Sequence, residues 1–209
     1  MPAVQADTSL KSWLALGDSY TIGQSVAASD RYPVQTVNIL KGSGINFKAP
    51  EIIATTGWTT GDLQNAINGK KTPLPPYDIV SLLIGVNNQY QGRTQAEYKD
   101  QFTALLLQSI QLAGNNPSHV IVISIPDYSV TPFAHGRDTV LIASGIDSFN
   151  MINKEAATNY NVQYINIAAE SRKAATDPTL IADDGLHFSG KEYAIWAGIL
   201  VPVIKAIVK

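Results

Sequence analysis

Four short segments of the 209-residue chain carry side chains of the types that acyl transfer requires. They are 17–20 (GDSY), 55–59 (TTGWT), 85–88 (GVNN) and 184–187 (DGLH). The first three follow short apolar runs, and the fourth precedes a helical pattern. Together they supply a serine, a histidine, an aspartate and several hydrogen-bond donors, which are the parts of an activated hydroxyl nucleophile and its supports.

Ser19, His187 and Asp184 are predicted to act as one catalytic group. A serine hydroxyl becomes nucleophilic when an adjacent base takes its proton, and histidine suits that task near neutral pH. A carboxylate is needed to fix the imidazole tautomer and to stabilise the imidazolium. Asp184 lies three residues before His187, with Gly185 between them, so one tight loop can present both side chains. This spacing favours Asp184 over its neighbour Asp183 as the acid.

Donors for a tetrahedral oxyanion are predicted at three positions. They are the backbone N–H groups of Ser19 and Gly57 and the side-chain amide of Asn87. A glycine at position 57 also suits a turn with positive φ, which is compatible with donating its N–H. Asn88 is predicted to have a structural role at the same turn.

The elements that must position these residues alternate between strands and helices along the whole chain. Apolar runs predict five strands, at 13–16, 51–54, 79–84, 119–125 and 162–167. Helical patterns are predicted at 32–41, around Leu63 and Ile67, after Thr94, at 140–159 and after Ser189. Such alternation is typical of a parallel sheet covered on both faces, so we predict an α/β fold, a three-layer α/β/α sandwich. Ligands bind at the carboxyl ends of the strands in such sheets, where the candidate residues fall.

Two of the predicted helices carry the spacing of a capping box at their starts. One pairs Thr94 with Glu97, and the other pairs Ser189 with Glu192. The second pair follows His187 closely, so it is predicted to anchor the His187 loop to a packed helix. Small misplacements of a catalytic group are costly, which makes such an anchor valuable.

In order and spacing, the four segments resemble the SGNH hydrolase superfamily, also called GDSL-type esterases and lipases. The resemblance covers nearly the whole chain and implies a flavodoxin-like fold with ester hydrolysis by a Ser–His–Asp triad. The family's nucleophile matches Ser19, and its acid and base match Asp184 and His187. Its oxyanion glycine and asparagine match Gly57 and Asn87.

Two positions depart from the pattern that is commonest in that family. Asn88 stands where an aspartate usually follows the oxyanion asparagine, which removes a charge beside the predicted donor. Tyr20 stands where leucine usually follows the GDS motif, so it is expected to reshape the acyl pocket or to find a hydrogen bond of its own. The segment 126–137, after the fourth predicted strand, is either an ordinary loop or a substrate-facing one.

Composition excludes several other classes of protein. The chain has no cysteine, which rules out disulfides, cysteine-ligated metals and thiol catalysis. Its net charge is −2 and only 15% of residues are charged, so no nucleic-acid partner is expected. No apolar run is long enough to span a membrane, and the first seven residues lack the pattern of a signal peptide. We therefore expect one soluble domain over residues 1–209, without cofactor or metal. The sequence leaves its compartment open, and a secreted or periplasmic protein whose signal peptide has been removed is one alternative.

The substrate is predicted only as a class. The absence of a large apolar surface run favours short acyl groups on a small molecule or a carbohydrate, and nothing predicts the oligomeric state. The alternatives are a flavin- or phosphate-binding flavodoxin-like domain, and an inactive esterase-like binding module. The first would use residues 19–23 as a phosphate loop, but it gives no role to Asp184 and His187.

Overall fold

Five parallel strands form the centre of the structure, a computed structural model that describes residues 10–70 and 76–208. The strands are β1 (Trp13–Gly17), β2 (Glu51–Ala54), β3 (Ile79–Leu83), β4 (Val120–Ile123) and β5 (Gln163–Ile165). Their order across the sheet is β2-β1-β3-β4-β5, and every neighbouring pair is parallel. Strand order reverses between β1 and β3, so the carboxyl ends of these two strands border the crevice where such sheets bind ligands.

Helices cover both faces of the sheet, which confirms the predicted α/β/α sandwich. They are α1 (Ser19–Ile22), α2 (Tyr32–Lys41), α3 (Thr60–Asn68), α4 (Val86–Tyr90), α5 (Gln95–Leu112), α6 (Thr139–Asn159), α7 (Ala168–Ser171) and α8 (Gly190–Val208). Helix α2 packs against α8, whereas α5 packs against α3 and α6. Every position of β1, β3 and β4 is buried, as expected for strands covered on both faces.

Strands β4 and β5 are shorter than predicted, and polar side chains explain where they end. The backbone of Ile125 is paired by the side chain of Asn150, which accepts from its N–H and donates to its carbonyl oxygen. The N–H of Ile167 donates to Ser124 Oγ. Since these side chains replace the neighbouring strand as partners, the ladder stops although the apolar run continues. Residues 117–119 form a 3₁₀ turn, which removes His119 from β4.

Aromatic side chains fill the space between β1 and the helices α2 and α8. Trp196 packs against Tyr32 and Tyr193 with ring centroids 6.2 and 4.8 Å apart. The ring of Tyr20 lies 6.5 Å from Trp196 and 5.7 Å from His187. The core therefore extends without interruption to one of the predicted site residues.

The capping boxes form differently from the prediction. At Ser189, Oγ accepts from the N–H of Glu192 at 3.4 Å, but the buried Glu192 carboxylate accepts from Trp196 Nε1. The N–H of Ser189 donates instead to the carbonyl oxygen of Leu180. The predicted hydrogen bond from the Ser189 N–H to the Glu192 carboxylate is therefore wrong, because the indole N–H of Trp196 donates to that carboxylate instead.

Thr94 likewise caps the N–H of Glu97, while the carboxylate of Glu97 accepts from Gln101. A complete capping box forms instead at Thr59 and Asp62, at the start of α3. Within the described ranges, no helix is long and apolar enough to cross a bilayer.

Candidate active site

One cavity at the carboxyl ends of the strands contains most of the predicted site residues. Its volume is about 170 Å³, and it opens beside the ends of β1, β2 and β3. The residues lining it are Ser19, Tyr20, Thr56, Gly57, Val86, Asn87, Tyr90, Tyr128, Phe133, Leu186 and His187. The structure thus brings Ser19, Gly57, Asn87 and His187 together from four distant parts of the chain.

Ser19 occupies the first position of α1, directly after β1. Strand β1 ends at Gly17, where an added Cβ would collide with Thr21 and with the carbonyl oxygen of Leu83. Glycine therefore allows the end of β1 to lie close to Thr21 of α1 and to the end of β3. Ser19 is 5% exposed, so its hydroxyl is nearly buried but borders the cavity.

Asp18 is the N-cap residue of α1 and is fully buried. Its Oδ1 accepts a hydrogen bond from the N–H of Tyr20 at 3.0 Å, whereas its buried Oδ2 has no partner among the described residues. Burial raises the pKa of Asp18 to about 7 against the opposing effect of its backbone hydrogen bonds. A carboxyl group in this position also opposes the binding of a phosphate to the same helix start, which argues against the flavodoxin-like alternative.

The side chains of His187 and Asp184 are joined directly. His187 Nδ1 lies 2.6 Å from Asp184 Oδ2, and the imidazole is 8% exposed. Asp184 Oδ1 accepts from the backbone N–H groups of Leu186 and His187, both at 2.9 Å. Gly185, with φ of +72°, makes the tight turn that brings the two side chains together. The neighbouring Asp183 is exposed and has no such contact with the imidazole.

The environment of Asp184 favours its ionised form. Partial burial by itself raises the pKa of this carboxyl group. Hydrogen bonds from Ser25, from His187 and from two backbone N–H groups outweigh it and hold the pKa well below its ordinary value. Asp184 is therefore a carboxylate at neutral pH and can accept the Nδ1 proton of His187.

Ser25 is a site residue that the sequence did not reveal. Its Oγ donates a hydrogen bond of 2.6 Å to Asp184 Oδ2, across 159 positions of the chain. An isolated serine in a polar turn carries no signal of such a contact. Only the folding of the segment after α1 against the loop before α8 brings the two residues together.

Gly57 and Asn87, two of the predicted oxyanion donors, both border the cavity. Gly57 has φ of +86°, and a Cβ added there would meet no atom within 4 Å, so glycine is favoured at this position by its backbone conformation and not by a lack of space. Asn87 Nδ2 donates to the carbonyl oxygen of Trp58 at 2.9 Å. One amide hydrogen thereby fixes the side chain, and the second is left to donate elsewhere.

Asn88 is turned away from the cavity and joins two elements of the fold. Its Oδ1 accepts from the N–H of Thr60 at 3.0 Å, and its Nδ2 donates to Thr60 Oγ1 at 2.7 Å. These bonds tie α4 to the start of α3. The structural role predicted for Asn88 is confirmed, and its neutral amide satisfies both groups of Thr60.

Aromatic residues form the outer wall of the cavity. Tyr128 and Phe133, from the segment 126–137, line it together with Tyr90 of α4. The N–H of Phe133 donates to the carbonyl oxygen of Gly185, which joins this segment to the loop that carries His187. The guanidinium of Arg137 lies 4.6 Å from the centre of the Phe133 ring. Of the two interpretations of the segment, the structure therefore favours a cavity-facing loop.

Tyr20 contacts the imidazole of His187, whereas the other two histidines of the chain lie outside the cavity. Tyr20 is buried, lines the cavity and packs edge-on against the imidazole of His187. His135 is exposed, and His119 lies in the turn before β4. Neither His119 nor His135 lines this cavity.

Comparison with known proteins gives a family match and several similar folds. A sequence profile of the GDSL-like lipase/acylhydrolase family matches residues 15–195. A lipase/acylhydrolase from Enterococcus faecalis superimposes with a TM-score of 0.72 at 22% identity, covering 96% of this chain and 98% of its own. No curated protein gives a significant sequence match.

Two other similar structures are those of esterases. An acetylxylan esterase from Geobacillus stearothermophilus has a TM-score of 0.68 at 19% identity, covering 93% of this chain and 94% of its own. An esterase from a Pseudoalteromonas species, inhibited by monoethylphosphonate, has a TM-score of 0.68 at 14% identity, covering 94% and 97%. At these identities the likeness is one of fold.

Proposed function

The chain belongs to the GDSL-like lipase/acylhydrolase family and is a carboxylic ester hydrolase, and from that premise we propose that it cleaves short-chain esters through Ser19, His187 and Asp184. The observation that carries the proposal is the 2.6 Å contact between His187 Nδ1 and Asp184 Oδ2, beside a cavity that Ser19 shares. This is the pairing of base and carboxylate that serine ester hydrolysis requires.

In the proposed reaction, Ser19 Oγ attacks the acyl carbon of the ester while its proton passes to His187 Nε2. Asp184 holds the Nδ1 proton and stabilises the imidazolium. The tetrahedral intermediate collapses, the C–O bond to the alcohol breaks, and His187 returns its proton to the leaving oxygen. Water then attacks the acyl-serine ester with His187 as base, which releases the acid and restores Ser19.

The oxyanion of both tetrahedral intermediates is proposed to lie among three donors. These are the N–H groups of Ser19 and Gly57 and the Nδ2 hydrogen of Asn87 that Trp58 does not engage. Preorganised donors of this kind need no rearrangement as charge develops. The anchoring of Asn87 by the Trp58 carbonyl oxygen supports its assignment, because it restricts the amide to one orientation.

The size and lining of the cavity support a short acyl group. A cavity of about 150 Å³ with apolar walls holds a molecule of the size of benzene, and this one has a volume of about 170 Å³. The walls of the cavity beside the predicted triad are apolar and are formed by Val86, Tyr90, Phe133 and Leu186. We propose acetyl and other short acyl esters of small molecules or carbohydrates as substrates, a choice that the fold of an acetylxylan esterase also supports.

The test is hydrolysis of p-nitrophenyl esters with acyl chains of increasing length, followed by a panel of acetylated glycans. Ser19→Ala is expected to abolish turnover while leaving the fold intact, with Ser144→Ala, an exposed helical serine, as the matched control. Asp184→Asn is expected to leave a folded and much slower enzyme. Substantial turnover by Ser19→Ala would refute the assignment of the nucleophile. A purified wild-type protein that hydrolyses no ester would favour an inactive binding module.

A further inference from the structure

The carboxylate of Asp184 shares one oxygen between two donors, and only one of them belongs to the proposed triad. Oδ2 accepts from His187 Nδ1 at 2.6 Å and from Ser25 Oγ at 2.6 Å. Oδ1 is occupied by two backbone N–H groups of its own loop. The loop bonds therefore hold one end of the carboxylate, and Ser25 is the contact from outside the loop that holds the other.

The segment that presents Ser25 is itself anchored to the predicted nucleophile and oxyanion loops. The N–H of Gln24 donates to the carbonyl oxygen of Ser19, and its Oε1 accepts from Thr56 Oγ1 at 2.7 Å. Val26 packs against the core on the other side of Ser25. The position of the Ser25 hydroxyl is thus set by the same segments that carry Ser19 and Gly57.

The backbone of Ser25 has a conformation that its residue type disfavours. Its φ is +64°, in the left-handed region, where glycine would be free of the steric cost that a Cβ imposes. Serine at this position retains the steric cost of its Cβ, but unlike glycine it supplies a hydroxyl group. Strain held at one exposed residue beside a candidate site suggests that the side chain has a function there.

We propose that Ser25 is a positioning residue for Asp184. Its hydroxyl fixes the carboxylate in the rotamer that receives His187 Nδ1, so that the imidazole stays aimed at Ser19. The inference rests on the proposed function, since it assigns to Ser25 an effect on the Asp184–His187 pair. Because Ser25 is exposed, water replaces part of the lost bond when the hydroxyl is removed, and we expect an effect on kcat of about tenfold.

Two substitutions separate positioning from a merely structural role. Ser25→Gly removes the donor but relieves the left-handed strain, so kcat should fall about tenfold with KM unchanged and Tm within about 2 °C of the wild type. Ser25→Thr keeps the hydroxyl but adds a branched Cβ in the left-handed region, so Tm should fall while kcat stays within about threefold. The downfield Nδ1 proton resonance of His187 should broaden or move in Ser25→Gly alone.

The control is Asn161→Gly, which makes the same backbone change at an exposed residue with φ of +56° that does not line the cavity. It should alter neither kcat nor the His187 resonance. A wild-type kcat in Ser25→Gly, or an equal loss of kcat in both Ser25 variants, would overturn the proposal for Ser25. Failure of the proposed function would be distinguished by wild-type and Ser19→Ala proteins that turn over esters equally or not at all.

Discussion

Replacement of the buried Asp18 by asparagine should change how the stability of this protein depends on pH. Asp18 is completely buried, and burial raises its pKa from 3.8 to about 7. In the unfolded chain the carboxyl group returns to its ordinary pKa. Between about pH 4 and pH 7 the unfolded state therefore loses a proton that the folded state keeps.

The sign and size of the effect follow from that difference. Below about pH 4 both states are protonated and Asp18 contributes no pH dependence. As pH rises toward 7, the free energy of unfolding of the wild type falls by about 1.4 kcal/mol for each pH unit, to a total of about 4 kcal/mol as an upper bound. Above pH 7 both states are ionised and the loss is complete.

Asp18→Asn retains an acceptor for the N–H of Tyr20 and has no charge to bury. Urea denaturation from pH 4 to pH 9 should show the variant gaining stability relative to the wild type as pH rises, with a plateau above pH 7. Asp138→Asn, which replaces an exposed carboxylate that caps α6, is the matched control. A difference between wild type and Asp18→Asn that is flat with pH, or that follows the Asp138→Asn control, would refute burial as the cause.

Three further substitutions test the architecture around the cavity. Asn88→Ala should lower the free energy of unfolding by about 1–3 kcal/mol in urea titrations, because it leaves the buried N–H of Thr60 without an acceptor while the Thr60 hydroxyl keeps its bond to Gln101, and unchanged stability would contradict this. Gly85→Ala should cost about 3 kcal/mol or more, because φ is +129° and the new Cβ would collide with Tyr98; a wild-type Tm would be the contrary result. Phe133→Ala should shift the preferred p-nitrophenyl ester toward longer acyl chains by enlarging the cavity, and an unchanged chain-length profile would show that this wall does not limit the acyl group.

The order of secondary structure could be predicted closely because it depends on local patterns. The boundaries of α2 and β2 match the prediction to the residue, since Gly42 ends the helix and a short apolar run defines the strand. The ends of β4 and β5 could not be predicted, because the side chains that replace the ladder there come from elsewhere in the chain. Asn150 lies 25 residues from Ile125, and Ser124 lies 43 residues from Ile167.

The sequence by itself determined which residue types are available for chemistry and the order of the strands and helices, because both depend on local patterns. Without cysteine, and with Ser19, Gly57, Asn87 and the Asp184–His187 pair at predicted strand ends or helix starts, it indicated one candidate chemistry. Tertiary structure decided which of these groups share a cavity and how each is supported. The burial of Asp18 and the contact from Ser25 to Asp184 arise from packing between segments far apart in the chain, and no local pattern records them.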